Sequence, residues 1–213
     1  MENYKNISSF AYNSKRIKFL KNCPKDFSII ERDSNILISA PHAVSQNRLG
    51  KLKVAEIGTA SISLILSEKL KTNLIIKTSN EDDDANFDAN CKYRKQIKKL
   101  LKEKEIKYLI DFHGLAKHRE CDINLGINFG NNIKNNIPLF DKLQKELIYN
   151  GFKVFVDNPF SGGPKTVSGT FAKTHNIWTI QIEINSKITN EKEQIDKLNL
   201  LIKTLLSVFE NVE

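Results

Sequence analysis

Cysteine is scarce in this chain of 213 residues, with Cys23, Cys91 and Cys121 its only three. Odd in number and widely spaced, they form neither a disulfide framework nor a CxxC pair. That usage fits a reducing, cytoplasmic setting. No apolar run approaches the ~20 residues needed to span a bilayer, so no membrane association is expected. Met1 to Cys23 lacks the apolar centre of a signal peptide. Also missing are an aromatic RNP-type motif, a paired Cys/His finger and a basic arm, which removes the usual signatures of nucleic-acid binding. No internal repeat, low-complexity linker or shift in composition marks a boundary. Residues 1–213 are therefore expected to form a single domain.

Hydrophobic residues make up 40% of the chain and charged residues 27%. Those are the proportions of an ordinary soluble globular protein, and they exclude wholesale disorder. Lys and Arg number 33 against 25 Asp and Glu, a net charge of +8. Much of the excess sits at Lys95, Lys98, Lys99, Lys102 and Lys104, where a solvated helix face is a plainer reading than a nucleic-acid patch. A positive field still suits the steering of an acidic substrate.

Short apolar runs alternate with longer amphipathic ones. Phe27–Ile30, Ile36–Ala40, Leu74–Thr78, Tyr108–Phe112, Ile123–Phe129, Phe152–Val156 and Ile177–Ile184 read as strands. Lys53–Leu70, Lys92–Glu105, Ile137–Tyr149 and Thr189–Phe209 read as helices, the first with Val54, Ile57, Ile65 and Leu66 among its apolar positions. Ser79–Asn90 and Pro159–Thr170 read as loops, the second flexible with Gly162, Gly163 and Gly169. This alternation predicts an α/β domain, helices on both faces of a mostly parallel or mixed sheet.

In open α/β sheets ligand sites form beyond the carboxyl ends of the strands. Ile36–Ala40 leads into Pro41-His42, and Tyr108–Phe112 leads into His113-Gly114. The last strand carries Glu183 within Trp178-Thr-Ile-Gln-Ile-Glu-Ile-Asn185. Glu56 is expected in the first turn of the helix after His42, where the helix dipole alone would favour a carboxylate. With His42 and His113 it also makes the two-imidazole, one-carboxylate set of hydrolytic zinc sites. Asp111 shares a strand face with His113 and can fix the tautomer of a ligating ring, or be a polar strand-end residue. Glu183 in so apolar a run is expensive to ionise, which suits a general base working near neutrality. His118 is expected near the mouth of the site and His175 in an exposed turn. The run Glu81-Asp-Asp-Asp84 lacks the spacing of a calcium loop and reads as a solvated loop.

Four ordered motifs, Ser39-Ala-Pro-His42, Lys53-Val-Ala-Glu56-Ile-Gly-Thr59, Asp111-Phe-His-Gly114 and Gln181-Ile-Glu-Ile-Asn185, resemble those of the N-formylglutamate amidohydrolase family. The resemblance runs from about Ile36 to Asn185. It implies a three-layer, phosphorylase/hydrolase-like α/β sandwich related to metallocarboxypeptidases and aspartoacylases. It implies one zinc ion, or another divalent metal, held by His42, Glu56 and His113, with Glu183 activating water. The implied substrate is a small acidic acyl-amino acid, N-formyl included. Its carboxylate calls for a cation in the pocket, and Arg119 and Arg94 are the candidates. Gly162 and Gly163 match a glycine-containing loop over the pocket. The rival expectations are a metallocarboxypeptidase-like peptidase with a wider cleft and a non-catalytic binding module that retains the fold.

Overall fold

Buried strands and amphipathic helices alternate along residues 26–212, the part of the chain described by the computed structural model. Cys23 and the Met1–Cys23 segment lie outside the described residues. Among the described residues nine strands form: β1 (Phe27–Ile30), β2 (Ile36–Ala40), β3 (Gln46–Arg48), β4 (Lys51–Lys53), β5 (Asn73–Lys77), β6 (Tyr108–Leu115), β7 (Ile123–Gly126), β8 (Val154–Val156) and β9 (Trp178–Asn185). Six α-helices accompany them: α1 (Thr59–Leu70), α2 (Lys92–Glu103), α3 (Ile137–Tyr149), α4 (Val167–His175), α5 (Ser186–Asn190) and α6 (Ile195–Phe209).

Seven strands make one sheet in the order β1-β5-β2-β6-β9-β7-β8, and β3 pairs with β4 as a separate hairpin. The central strands β5, β2, β6 and β9 are parallel. β1 is antiparallel to β5, and β7, itself parallel to β8, is antiparallel to β9. The sheet is thus mixed, as the sequence predicts.

Alternating side chains sort the sheet into two apolar faces. Ile38, Ile76, Ile110 and Phe112 pack with Ile62 of α1, Leu143 of α3 and Leu201 of α6. Leu37, Ile75 and Leu109 pack on the other face with Ile97 of α2 and Phe171 of α4. Helices cover both faces, and β2, β5 and β9 are buried along their whole length, as parallel strands covered on both sides must be. Residues in step with Leu37 and Leu109 point to the α2/α4 face, so Ser39, Asp111 and His113 share it.

Three expected elements differ. The helix expected from Lys53 begins at Thr59, because Gly58 has φ 102° and interrupts the helical path. Lys51–Lys53 is instead strand, and Val54 and Ile57 are exposed rather than packed. Part of the expected flexible loop is α4, capped by Thr166 Oγ1, which accepts a hydrogen bond from Gly169 N at 3.1 Å. Gly169 lies within that helix, and a side chain is excluded there because a Cβ would meet the Gly163 carbonyl oxygen at 2.1 Å. His175 is therefore the last helical residue, and it is half-buried, its ring 5.5 Å from that of Phe171. The closing helix is divided into α5, a short 3-10 turn at Lys192–Gln194 and α6.

Candidate metal centre

The ends of β2, β6 and β9 meet on the α2/α4 face. β6 and β9 run parallel in a register that sets His113 beside Glu183 and Asp111 beside Gln181. His42 follows β2 after Pro41 and is buried. Glu56 lies in the loop before α1, not in its first turn. Its backbone N–H donates to the His42 carbonyl at 2.9 Å, fastening the two segments together. Gly114 N–H donates to Glu56 Oε2 at 2.9 Å, an approach only glycine permits, since a Cβ there would stand 2.9 Å from Glu56 Cβ.

Both imidazoles turn the same atom inward. His42 Nδ1 lies 2.6 Å from Glu56 Oε1, and His113 Nδ1 lies 3.2 Å from Glu56 Oε2. Each far nitrogen faces another carboxylate. His42 Nε2 is 2.8 Å from Asp84 Oδ1, and His113 Nε2 is 3.2 Å from Asp111 Oδ2. The rings stand edge to face, their centroids 4.7 Å apart. One ligand atom from each of His42, Glu56 and His113 falls within 4.8 Å of the others, a group able to hold a metal ion.

The donor chemistry fits a divalent cation. Two imidazole nitrogens and a carboxylate are an open zinc-type set, and carboxylates on the outer nitrogens are the partners that ligating histidines usually have. Glu56, Asp84 and Asp111 face the two rings, and Glu183 stands beside His113 in the strand register, in a mostly buried space. Burial works against ionised Glu56, but the facing histidines outweigh it and hold its carboxyl well below the usual range. Burial likewise opposes the histidine charges, yet Glu56 and Asp84 raise His42, and Asp111 and Glu56 raise His113.

Glu183 is buried, and Gln181 Nε2 donates to its Oε1 at 2.6 Å. Burial pushes its pKa up to about 7. It lines a cavity of about 1040 Å³ together with His42, Glu56 and His113. The Pro159–Thr166 segment forms one wall. It is pinned by Asn124 Nδ2 donating to the Phe160 carbonyl at 2.7 Å and by Asn132 Nδ2 donating to the Gly162 carbonyl at 2.8 Å.

The two candidate arginines part company. Arg119 and His118 line the cavity from an exposed turn after β6. Arg94 is buried and not among the lining residues. Its Nε donates to the Ala85 carbonyl, Nη2 to the Lys165 carbonyl, both at 2.7 Å, and Nη1 to Thr170 Oγ1 at 3.0 Å. It ties α2 to the segment leading into α4, and a substrate carboxylate would have to displace those bonds.

Asp84 is the residue the sequence conceals. It is wholly buried, and besides His42 it accepts from Arg48 Nε at 2.7 Å through Oδ2. Burial raises its carboxyl, but His42 and Arg48 prevail and hold it well below the usual range. The reading of Glu81–Asp84 as a solvated loop fails at this position. Asp83 also turns inward, pairing with the fully buried Lys77 at 2.5 Å. Arg48 is also missed, and Gln181 stands in the last motif without its contact to Glu183 being foreseen.

Comparison with known proteins bears out the resemblance read from the motifs. Residues 92–189 match the N-formylglutamate amidohydrolase family. That stretch holds Arg94, Asp111, His113, Arg119 and Glu183, while His42 and Glu56 precede it. No curated protein matches the chain. Among solved structures, a gene product of Agrobacterium tumefaciens superposes with a TM-score of 0.64 at 12% identity, over 87% of this chain and 95% of that one. The N-formylglutamate amidohydrolase of Ralstonia eutropha JMP134 gives 0.59 at 11%, over 88% and 98%. A bacteriophage poly-gamma-glutamate hydrolase gives 0.57 at 13%, over 91% of both chains. At such identities the likeness is one of fold.

Proposed function

We propose, on the premise of this likeness to the N-formylglutamate amidohydrolase family, that the chain is a metal-dependent amidohydrolase acting as one domain in the cytoplasm. It cleaves the amide bond of an N-acyl amino acid, N-formyl included. His42, Glu56 and His113 would hold one zinc ion. The observation that carries this reading is the convergence of one ligand atom each from His42, Glu56 and His113 within 4.8 Å of one another, beside a buried Glu183 in one open cavity.

A bound divalent ion would lower the pKa of water and polarise the amide carbonyl. The chain's own residues supply the rest. Asp84 and Asp111 hold the outer nitrogens of the two rings, an arrangement that would leave both Nδ1 atoms available to a metal. Glu183 takes the proton of the attacking water on its carboxylate, and Gln181 orients that carboxylate through Oε1. Arg119 stands at the cavity wall where it can help stabilise the oxyanion. As the C–N bond breaks, Glu183 returns the proton to the leaving nitrogen. A carboxylic acid and an amine result.

Metal analysis with a Glu183→Gln variant tests this. The parent is expected to carry about one zinc per chain and to hydrolyse a member of an N-acyl amino acid panel. The variant should keep the metal and lose about 100-fold or more in kcat. Equal rates in the two would remove Glu183 as the base. A cavity of about 1040 Å³ also has room for more than an acyl-amino acid, which favours one second reading, a peptidase of the same chemistry. Product analysis on short peptides separates the two.

A further inference from the structure

Arg48 is the cavity-lining cation that the chain has fastened in place. It ends β3 in the β3–β4 hairpin, with its side chain 31% exposed. Its Nε is spent on Asp84 Oδ2 at 2.7 Å, and its guanidinium carbon lies 5.1 Å over the ring of Phe87. Nη1 and Nη2 have no hydrogen-bond partner among the described residues. Arg48 and Phe87 both line the cavity with His42. The hairpin is itself tied down, because Asn47 N–H donates to the Asp83 carbonyl at 3.2 Å and its side-chain amide donates to Asp82.

The lining holds no acid besides Glu56 and Glu183, so its remaining ionic character is positive. An arginine with one edge bonded and one face stacked has already lost its rotamer freedom, and binding an anion then costs less ordering. Its free edge can meet a carboxylate with two parallel N–H bonds. Arg94 has all three nitrogens engaged inside the protein. Arg119 sits in an exposed turn, and its side chain has no partner among the described residues to hold it.

We propose that Arg48, through Nη1 and Nη2, binds the carboxylate of the substrate and sets the preference of the site for acidic compounds over their carboxamides. This deepens the amidohydrolase reading and rests on it. Asp84 then serves two groups at once. Oδ1 steadies His42 and Oδ2 aims Arg48, so the metal set and the anion site share one anchor.

The test uses the zinc-loaded full chain and two probes, succinate and succinamate, titrated by calorimetry. Succinate presents a second carboxylate where succinamate presents an amide. The parent should bind succinate about 10- to 100-fold more tightly. Arg48→Ala should erase that preference, and Arg119→Ala should leave it within about twofold. Zinc content is measured for each variant. If Arg48→Ala loses metal or fails to fold, Arg48→Gln decides, since it keeps a donor toward Asp84 without the charge. A zinc-replete Arg48→Gln that still prefers succinate as the parent does would overturn the assignment. So would a parent with no preference, or its loss in Arg119→Ala alone. The titration needs no turnover. A parent that binds succinate through Arg48 yet hydrolyses no amide would defeat the amidohydrolase reading and leave the anion site standing.

Discussion

Glu183 shows what burying a carboxyl group does to stability. A glutamate normally titrates near 4.5, and burial raises this one to about 7. The folded chain therefore holds that proton more tightly than the unfolded chain. The stability this confers is fully present below about 4.5 and is lost as pH rises through about 7. Above that, the ionised carboxylate opposes folding of the metal-free protein by up to about 3 kcal/mol. Glu183→Gln removes the titration. In chelator-treated protein the variant should match or trail the parent at pH 5 and exceed it at pH 8. Urea melts at the two pH values read the difference. A stability gap that stayed constant with pH would mean the carboxyl is not desolvated as the structure has it.

At the scale of elements, local pattern carries information only where local forces decide. β2, β6 and β9 are legible because an apolar run bounded by polar residues has few other places to go, and their ends deliver His42, His113 and Glu183 as read. α1 is misplaced because Val54 and Ile57 continue its apolar spacing, yet the left-handed Gly58 halts the helix and leaves both exposed. α4 escapes because glycines suggest a loop, whereas Gly169 is demanded by the close approach of the Gly163 carbonyl in the turn that enters the helix. Asp84 escapes for a similar reason. Three successive aspartates look alike in sequence, and only the fold turns the third toward His42. The cap of α4 gives a measurable consequence. Thr166 Oγ1 accepts from Gly169 N–H and donates to the Gly163 carbonyl at 2.8 Å. Thr166→Ala should cost about 1 kcal/mol in a denaturant melt. Because Thr166 also lines the cavity, KM should rise more than kcat falls. An unchanged melt would mean that packing of Phe171, not the cap, holds the helix.

Across the whole molecule two charge patterns are superimposed. The chain carries +8 overall, while its candidate metal site gathers the carboxyl groups of Glu56, Asp84, Asp111 and Glu183. Lys95, Lys98, Lys99 and Lys102 are exposed on α2, in keeping with a solvated face. Arg48, Lys53, Lys117, Arg119 and Lys165 line the cavity itself. Such a field draws an anionic substrate inward before any contact forms, and salt weakens it once the screening length falls to about 10 Å, near 0.1 M. Raising ionic strength from about 0.01 to 0.3 M should therefore lower kcat/KM for an acidic substrate several-fold. The monocarboxamide of the same compound should show a shallower dependence, since it carries one negative charge fewer to steer. The contrast also separates long-range attraction from the bond at Arg48. Arg48→Gln should reduce kcat/KM at every salt concentration, and the four remaining cavity cations should preserve most of the slope. If the acidic substrate and its carboxamide showed the same salt dependence, the positive charge of the chain would have no part in capture.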